Sequence, residues 1–259
     1  MALSKTQIGS IVVAVLAFAL LYFGCDTTTA EIKKADQSRA LNMEATSIQN
    51  ILLDVKKSLT KEQMSIVEAL NVELKNADTD EERVNLQKRL SSTWYEIGEP
   101  TVAGHYAEEV AKIEQTEASW SIAGTSYLLG VKSSQVEKTR DYATTHAISA
   151  FEAAMSINPD NMDHRINKAL CFVENPSGSP MEGIMMLRKL NEDHPNSVKV
   201  INQLARLAIR TNQYDRAIER LLVAVGIDSE NNTSNCLLAQ AYEAKSDMAN
   251  AKRYGAKCN

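Results

Sequence analysis

The feature that most restricts how this chain can fold is an alternation of very large and very small side chains between Trp120 and Pro159. Trp120, Ala123, Gly124 and Tyr127 follow at steps of three, one and three; Ala147, Phe151, Ala154 and Pro159 follow at steps of four, three and five. Steps of three and four keep side chains on one face of an α-helix. Trp120 and Tyr127 are the knobs of a first helix, and Gly124 and Ala147 remove volume so that two helix axes approach closely. Phe151 fills the remaining gap, Ala154 admits the next hairpin, and Pro159 stops the second helix. Such a hairpin cannot bury its faces alone and needs stacked neighbours.

The alternation recurs. Ala169, Phe172, Gly183, Leu187, Leu190 and Pro195 form the next match, with a Pro/Gly/Ser-rich turn over Glu174–Pro180. Leu204, Ala205, Ala208, Ala217, Leu221 and Ala224 form another, with Ser229 in the proline's place. Leu238, Ala239, Tyr242 and Ala251 form a last unit with a short second helix and Gly255 where a bulky residue is usual. Upstream, Ala103 and Ala107 hold the small-residue places of a degenerate first unit. The units are expected at 81–116, 117–161, 162–197, 198–231 and 232–259. In the second unit the step from Tyr127 to Ala147 is 20 residues, against nine from Ala208 to Ala217, so Leu128 to Lys138 holds extra helix or loop, broken near Gly130 to Ser134.

These units resemble the tetratricopeptide repeat (TPR) over roughly Glu81 to Asn259. The resemblance implies an all-α fold, a right-handed α-solenoid of helical hairpins that binds protein and carries no cofactor. The whole chain is also similar to a family of membrane-anchored TPR proteins common in Bacteroidetes. The residues that prompt this run from Trp94 to Pro100 and from Ala103 to Glu108. The layout is similar to bitopic inner-membrane repeat proteins that assist secretion and folding.

Residues 8–25 are uncharged and mostly apolar. About 18 residues at 1.5 Å each make roughly 27 Å, enough to cross the hydrocarbon core. We read 1–25 as an uncleaved signal anchor in a cell inner membrane, with the repeat domain facing the periplasm. Lys33 and Lys34 beyond the segment compete with Lys5 in setting that orientation. The alternatives are a cleaved signal peptide, for which the apolar run is long and no clear small-x-small site follows, and a lipid anchor at Cys25, for which Gly24 fits and Phe23 and Tyr22 do not. Residues 26–78 are expected to be a linker and helical stalk, with Leu41, Ala45, Ile48, Leu52, Val55 and Leu59 on one stripe, either pairing with a second copy or lying on a neighbouring helix. Thr60 with Gln63 and Thr79 with Glu82 have the spacing of capping boxes. Between the helices they open, Asn76 to Asp78 is the turn. Ile66, Leu70 and Leu74 form the inner face of the first, and Pro100 opens the helix that follows the second.

Reactive chemistry has no motif here. The net charge of −5 argues against nucleic acid, no CxxC pair suggests zinc, and His105, His146, His164 and His194 are isolated. The expectation is a non-enzyme with no small-molecule substrate. Asp160 and Asp163 are placed to cap the helix beginning at Met162. Cys236 and Cys258 occupy mirrored places in the last hairpin and are able to pair outside the cytoplasm, whereas Cys171 is a packing residue. Binding is expected on outward positions of the first helices, which line the inner curve of a solenoid. Those positions include Ser121, Thr125, Leu128, Asp163, Ile166, Leu170, Val173, Lys199, Asn202, Arg206, Arg210, Thr233, Gln240 and Glu243. Lys199, Asn202 and Arg206 form a basic-polar strip suited to a carboxylate or acidic side chains. The expected role is a membrane-anchored protein-interaction scaffold, an accessory subunit of an envelope export, folding or assembly complex. The alternative is a lipoprotein or a non-catalytic subunit of a membrane enzyme or transport complex.

Overall fold

The computed structural model describes residues 47–258, and every helix or strand among them is an α-helix. In chain order these are α1 (Ile48–Lys56), α2 (Lys61–Lys75), α3 (Asp80–Ile97), α4 (Pro100–Glu114), α5 (Glu117–Ser133) and α6 (Glu137–Ile157). They continue with α7 (Met162–Glu174), α8 (Pro180–Asp193), α9 (Val198–Arg210), α10 (Tyr214–Ile227), α11 (Asn232–Ala244) and α12 (Met248–Gly255). The span expected over 8–25, Cys25 and the first part of the stalk lie outside the described residues. No helix within them is long and apolar enough to cross a membrane.

The helix starts follow from local hydrogen bonding. Thr60 with Gln63 and Thr79 with Glu82 form reciprocal capping boxes, as their spacing predicts. Thr116 and Ser119 form a third in which serine replaces the usual Glu or Gln, so the sequence pattern does not show it. Pro100 and Pro180 open α4 and α8, where a missing backbone donor costs nothing. At α7 the structure corrects the expected cap. Asn161, not Asp160 or Asp163, accepts the backbone N–H of Asp163 at 3.0 Å, and the Asp163 carboxylate turns instead to Lys199.

Two turn types repeat. Three hairpins turn on a left-handed residue, Gly98 (φ 95°), Asn212 (φ 58°) or Ser246 (φ 63°). In each, the next N–H reaches back into the helix: Glu99 to the Trp94 carbonyl at 2.9 Å, Gln213 to Ala208 at 2.8 Å, Asp247 to Tyr242 at 3.0 Å. Successive hairpins are joined by four-residue turns closed by Asn161 N–H to Asn158, Ser197 to His194 and Asn231 to Asp228. Pro159, Pro195 and Ser229 stand second in these turns, where a φ near −65° is required.

The pairs α3/α4, α5/α6, α7/α8, α9/α10 and α11/α12 pack as hairpins, each resting on the next. Close approach is visible at the small residues. A Cβ on Gly124 would lie 2.8 Å from the Phe151 ring, and one on Gly183 2.3 Å from the Ala169 carbonyl oxygen. Trp94, Tyr127, Phe151, Leu187, Leu221 and Leu238 are fully buried between helices, whereas Trp120 is only half-buried, against Ala107, Ala123 and Ala150.

Three expectations change. The boundary at 78/79 is not a structural one: Ile48 and Ile51 of α1 and Val67 and Leu70 of α2 share one core with Leu90, Trp94 and Val102. The described part of the stalk is thus a helix lying on its neighbours. On α2 Leu70 and Leu74 face the core as expected, but Val67 joins them there and Ile66 is 53% exposed. The extra residues of the second unit are helix. The chain runs through Gly130 to Ser133 and turns at 134–136, leaving α5 and α6 with 17 and 21 residues against 13 and 14 in α7 and α8. This added length reaches both ways: Tyr142 packs against the core of α1–α4, and Asp141 accepts from the Asn175 amide at 2.8 Å.

The last unit is thin. Helix α12 has eight residues, none of them buried. It is held by a disulfide between Cys236 and Cys258, whose Cα atoms are 4.8 Å apart, and by Tyr254 stacked on Tyr242 with ring centroids 5.7 Å apart.

Candidate functional site

The first helices of four successive hairpins, α5, α7, α9 and α11, line one groove of about 400 Å³. Leu170, Leu207 and Leu237 give it an apolar floor; Lys132, Gln203, Arg206 and Gln240 give it a polar rim. Arg210 also lines it but is neutralised by both carboxylate oxygens of Glu174, at 2.8 and 2.9 Å. Lys132 and Arg206 are exposed and form no ion pair or hydrogen bond among the described residues. A groove with two unpaired cations over a leucine floor has the chemistry to hold an extended peptide bearing an acidic group.

Helical register explains which expected residues reach this groove. Leu170, Arg206, Arg210 and Gln240 do. Ile166 does not: at 4% exposure it belongs to the core shared by α5–α9. Asn202 is also buried rather than outward. Its amide is 3.3 Å from Asn231 Oδ1, and its Oδ1 accepts from the Ser234 hydroxyl at 2.9 Å, so it ties α9 to α11. Lys199 is exposed but engaged, with Nζ 2.8 Å from both oxygens of Asp163. The expected strip of Lys199, Asn202 and Arg206 is therefore not a strip, and only Arg206 remains available. Leu128 and Val173 are buried as well. Lys132 and Gln203 also line the groove, at positions that the repeat spacing does not mark. Lys132 enters because α5 runs past Gly130, which nothing in its spacing shows.

The buried charges are elsewhere. Glu108 Oε2 accepts from the Tyr127 hydroxyl and meets His146 Nδ1, both at 2.7 Å, and Lys112 lies 3.1 Å from Oε1. Burial opposes its charge, but these partners, His146 foremost, outweigh it and hold the carboxyl down at about 2. Burial drives the Tyr127 hydroxyl far above its usual range, with Tyr142 and Glu108 adding to the effect, so it remains a donor. Glu117, bonded to Asn161, Asn158 and His164, is likewise held at about 2. Burial pushes the Cys171 thiol up to about 12, which keeps it protonated and unreactive. Each carboxylate joins one hairpin to the next: α4 to α5 and α6 through Glu108, α5 to α7 through Glu117. Among the described residues no group of three or more His, Cys, Asp or Glu side chains is placed to hold a metal ion.

Successive hairpins built on the large–small alternation make this a TPR-like, all-helical array. No family model and no curated protein sequence matches the chain. Solved structures with some likeness include YrrB, described as a TPR protein with an unusual peptide-binding site. It is 14% identical, with a TM-score of 0.38, over 74% of this chain and 91% of that one. MamA (AMB-1) is 20% identical, with a TM-score of 0.37, over 70% and 92%. The TPR domain of P58(IPK) is 15% identical, with a TM-score of 0.32, over 85% and 71%. The assignment to this class rests on the hairpins themselves.

Proposed function

We propose that the array is the binding module of a membrane-tethered scaffold working on the periplasmic side. In this reading it is a non-catalytic accessory subunit of an envelope complex for protein export, folding or assembly. The groove over α5, α7, α9 and α11 carries the proposal, because Lys132 and Arg206 leave two uncompensated cations above Leu170, Leu207 and Leu237. Its occupant is an extended peptide segment of a partner protein with an acidic side chain or terminal carboxylate against the cations. The anchor is supported by the apolar run over 8–25, and the oxidising compartment by the disulfide between Cys236 and Cys258.

The test is crosslinking in native membranes from a photoreactive residue at Gln240, followed by mass spectrometry, in the native chain and in K132E/R206E. One peptide region of a membrane-complex subunit should be captured, and the charge reversal should lower its yield roughly ten-fold, as loss of charge-assisted contacts implies. Equal capture by both chains would remove the groove from the function. Protease protection of residues 47–258 in sealed inner-membrane vesicles checks the orientation.

A further inference from the structure

A second cavity, of about 290 Å³, lies between the α7/α8 and α9/α10 hairpins. Ile184, Leu204 and Leu207 contribute apolar surface, while Arg188 from α8 and Arg216 and Arg220 from α10 bring three guanidinium groups to it. None of the three has a carboxylate partner among the described residues. Arg216 donates to Gln213 Oε1 at 2.6 Å, Arg220 to the Arg216 carbonyl at 3.5 Å, and Arg188 makes no ion pair or hydrogen bond among the described residues. Burial first, then the charges of Arg188 and Arg216, press the Arg220 guanidinium below its usual range against a weaker opposite pull from Glu219.

Arg188 and Arg216 are exposed and Arg220 is half-buried, so it is at Arg220 that three neighbouring guanidiniums, with no carboxylate partner among the described residues, oppose one another. Like charges repel more strongly where solvent is partly excluded. Their planar donor forks match carboxylate and phosphate oxygens two at a time, and an anion turns the repulsion into attraction. The volume is near the lower end for small-molecule pockets, too small for a folded segment and ample for a short carbon skeleton.

We propose that this cavity binds a small organic oxyanion, its carboxylate or phosphate oxygens held by Arg188, Arg216 and Arg220 and its carbon skeleton resting on Ile184 and Leu204. The site shares only Leu207 and Arg210 with the peptide groove, and Arg210 is already paired with Glu174, so Arg188, Arg216 and Arg220 belong to this cavity alone.

The test uses the purified full chain in detergent, titrated calorimetrically with phenyl phosphate, phenylacetate and inorganic phosphate. One of the two phenyl-bearing anions should saturate below about 1 mM, more tightly than inorganic phosphate, and which of them does so identifies the anion. R188A and R216A should each weaken it roughly ten-fold, and R206E in the peptide groove should leave it unchanged. R220M should abolish binding while raising the melting temperature of the unliganded chain, which separates loss of a site from loss of fold. The proposal is overturned if neither phenyl-bearing anion saturates, if inorganic phosphate binds as tightly, or if R206E weakens binding as much as R188A.

Discussion

Glu108 and Gly124 show how single residues govern the contacts between hairpins. Replacing Glu108 with Gln leaves the Tyr127 hydroxyl and His146 short of a charged acceptor, at a cost of about 1–3 kcal/mol near neutral pH. The pH dependence has a definite sign. The folded carboxyl is held at about 2, below its unfolded value, so its contribution is complete above roughly pH 4.5 and fades as pH falls toward 2. Glu117 acts in the same window. Urea melts at neutral pH and near pH 2.5 should show the E108Q deficit in full in the first and much reduced in the second. Gly124→Ala is a steric matter with no pH dependence. The new methyl meets the Phe151 ring and should destabilise by about 1–3 kcal/mol, read in the same melts. The need for a small residue at Gly124 is legible from its spacing. The need for Glu108 is not, since its partners come from α5 and α6 and only the fold assembles them.

Among the elements, α12 depends most on one bond. It buries no residue; it rests on α11 through the Tyr242–Tyr254 stack, is capped at Asp247, and is tied just past its end by the disulfide at Cys258. Each hairpin touches only its neighbours, so loss of the bond stays local. Reduction, or Cys236→Ser, should raise amide exchange across Met248–Gly255 roughly ten-fold or more while leaving α5 and α6 protected. Uniform loss of protection along the chain would contradict this. The helices themselves were largely readable. The boxes at Thr60 and Thr79 and the proline at Pro100 are local signals that local hydrogen bonds obey. Two details were not. The inward turn of α2, with Val67 rather than Ile66, depends on where α1 and α3 lie. The extra helix in α5 and α6 follows from tertiary support, because a glycine in a helix interior costs about 1 kcal/mol and packing against Thr101 overrides that weak preference.

For the folded unit as a whole, the decisive fact is that 47–78 belongs with the repeats. Val67, Leu70, Leu90 and Trp94 form one cluster, so a chain beginning at residue 79 would expose the face of α3 that α1 and α2 cover. Such a chain should aggregate or melt well below one beginning at residue 46; gel filtration and circular dichroism decide it. A chain from 79 with an unchanged melt would restore the boundary drawn from the sequence. The sequence alone was enough for the hairpin class, the turns after Ile157, Asp193 and Ile227 and the large and small residues at the helix contacts, since helical periodicity and side-chain volume are local properties that survive without knowing the neighbours. Which polar residues stay available is set by the packing of distant helices. Asn202 and Lys199 look like groove residues until Ser234, Asn231 and Asp163 are brought against them, and Arg206 and Lys132 stay uncompensated because no carboxylate among the described residues is brought against them. Charge pairing acts between residues far apart in the chain, and the packing of one hairpin on the next sets who meets whom.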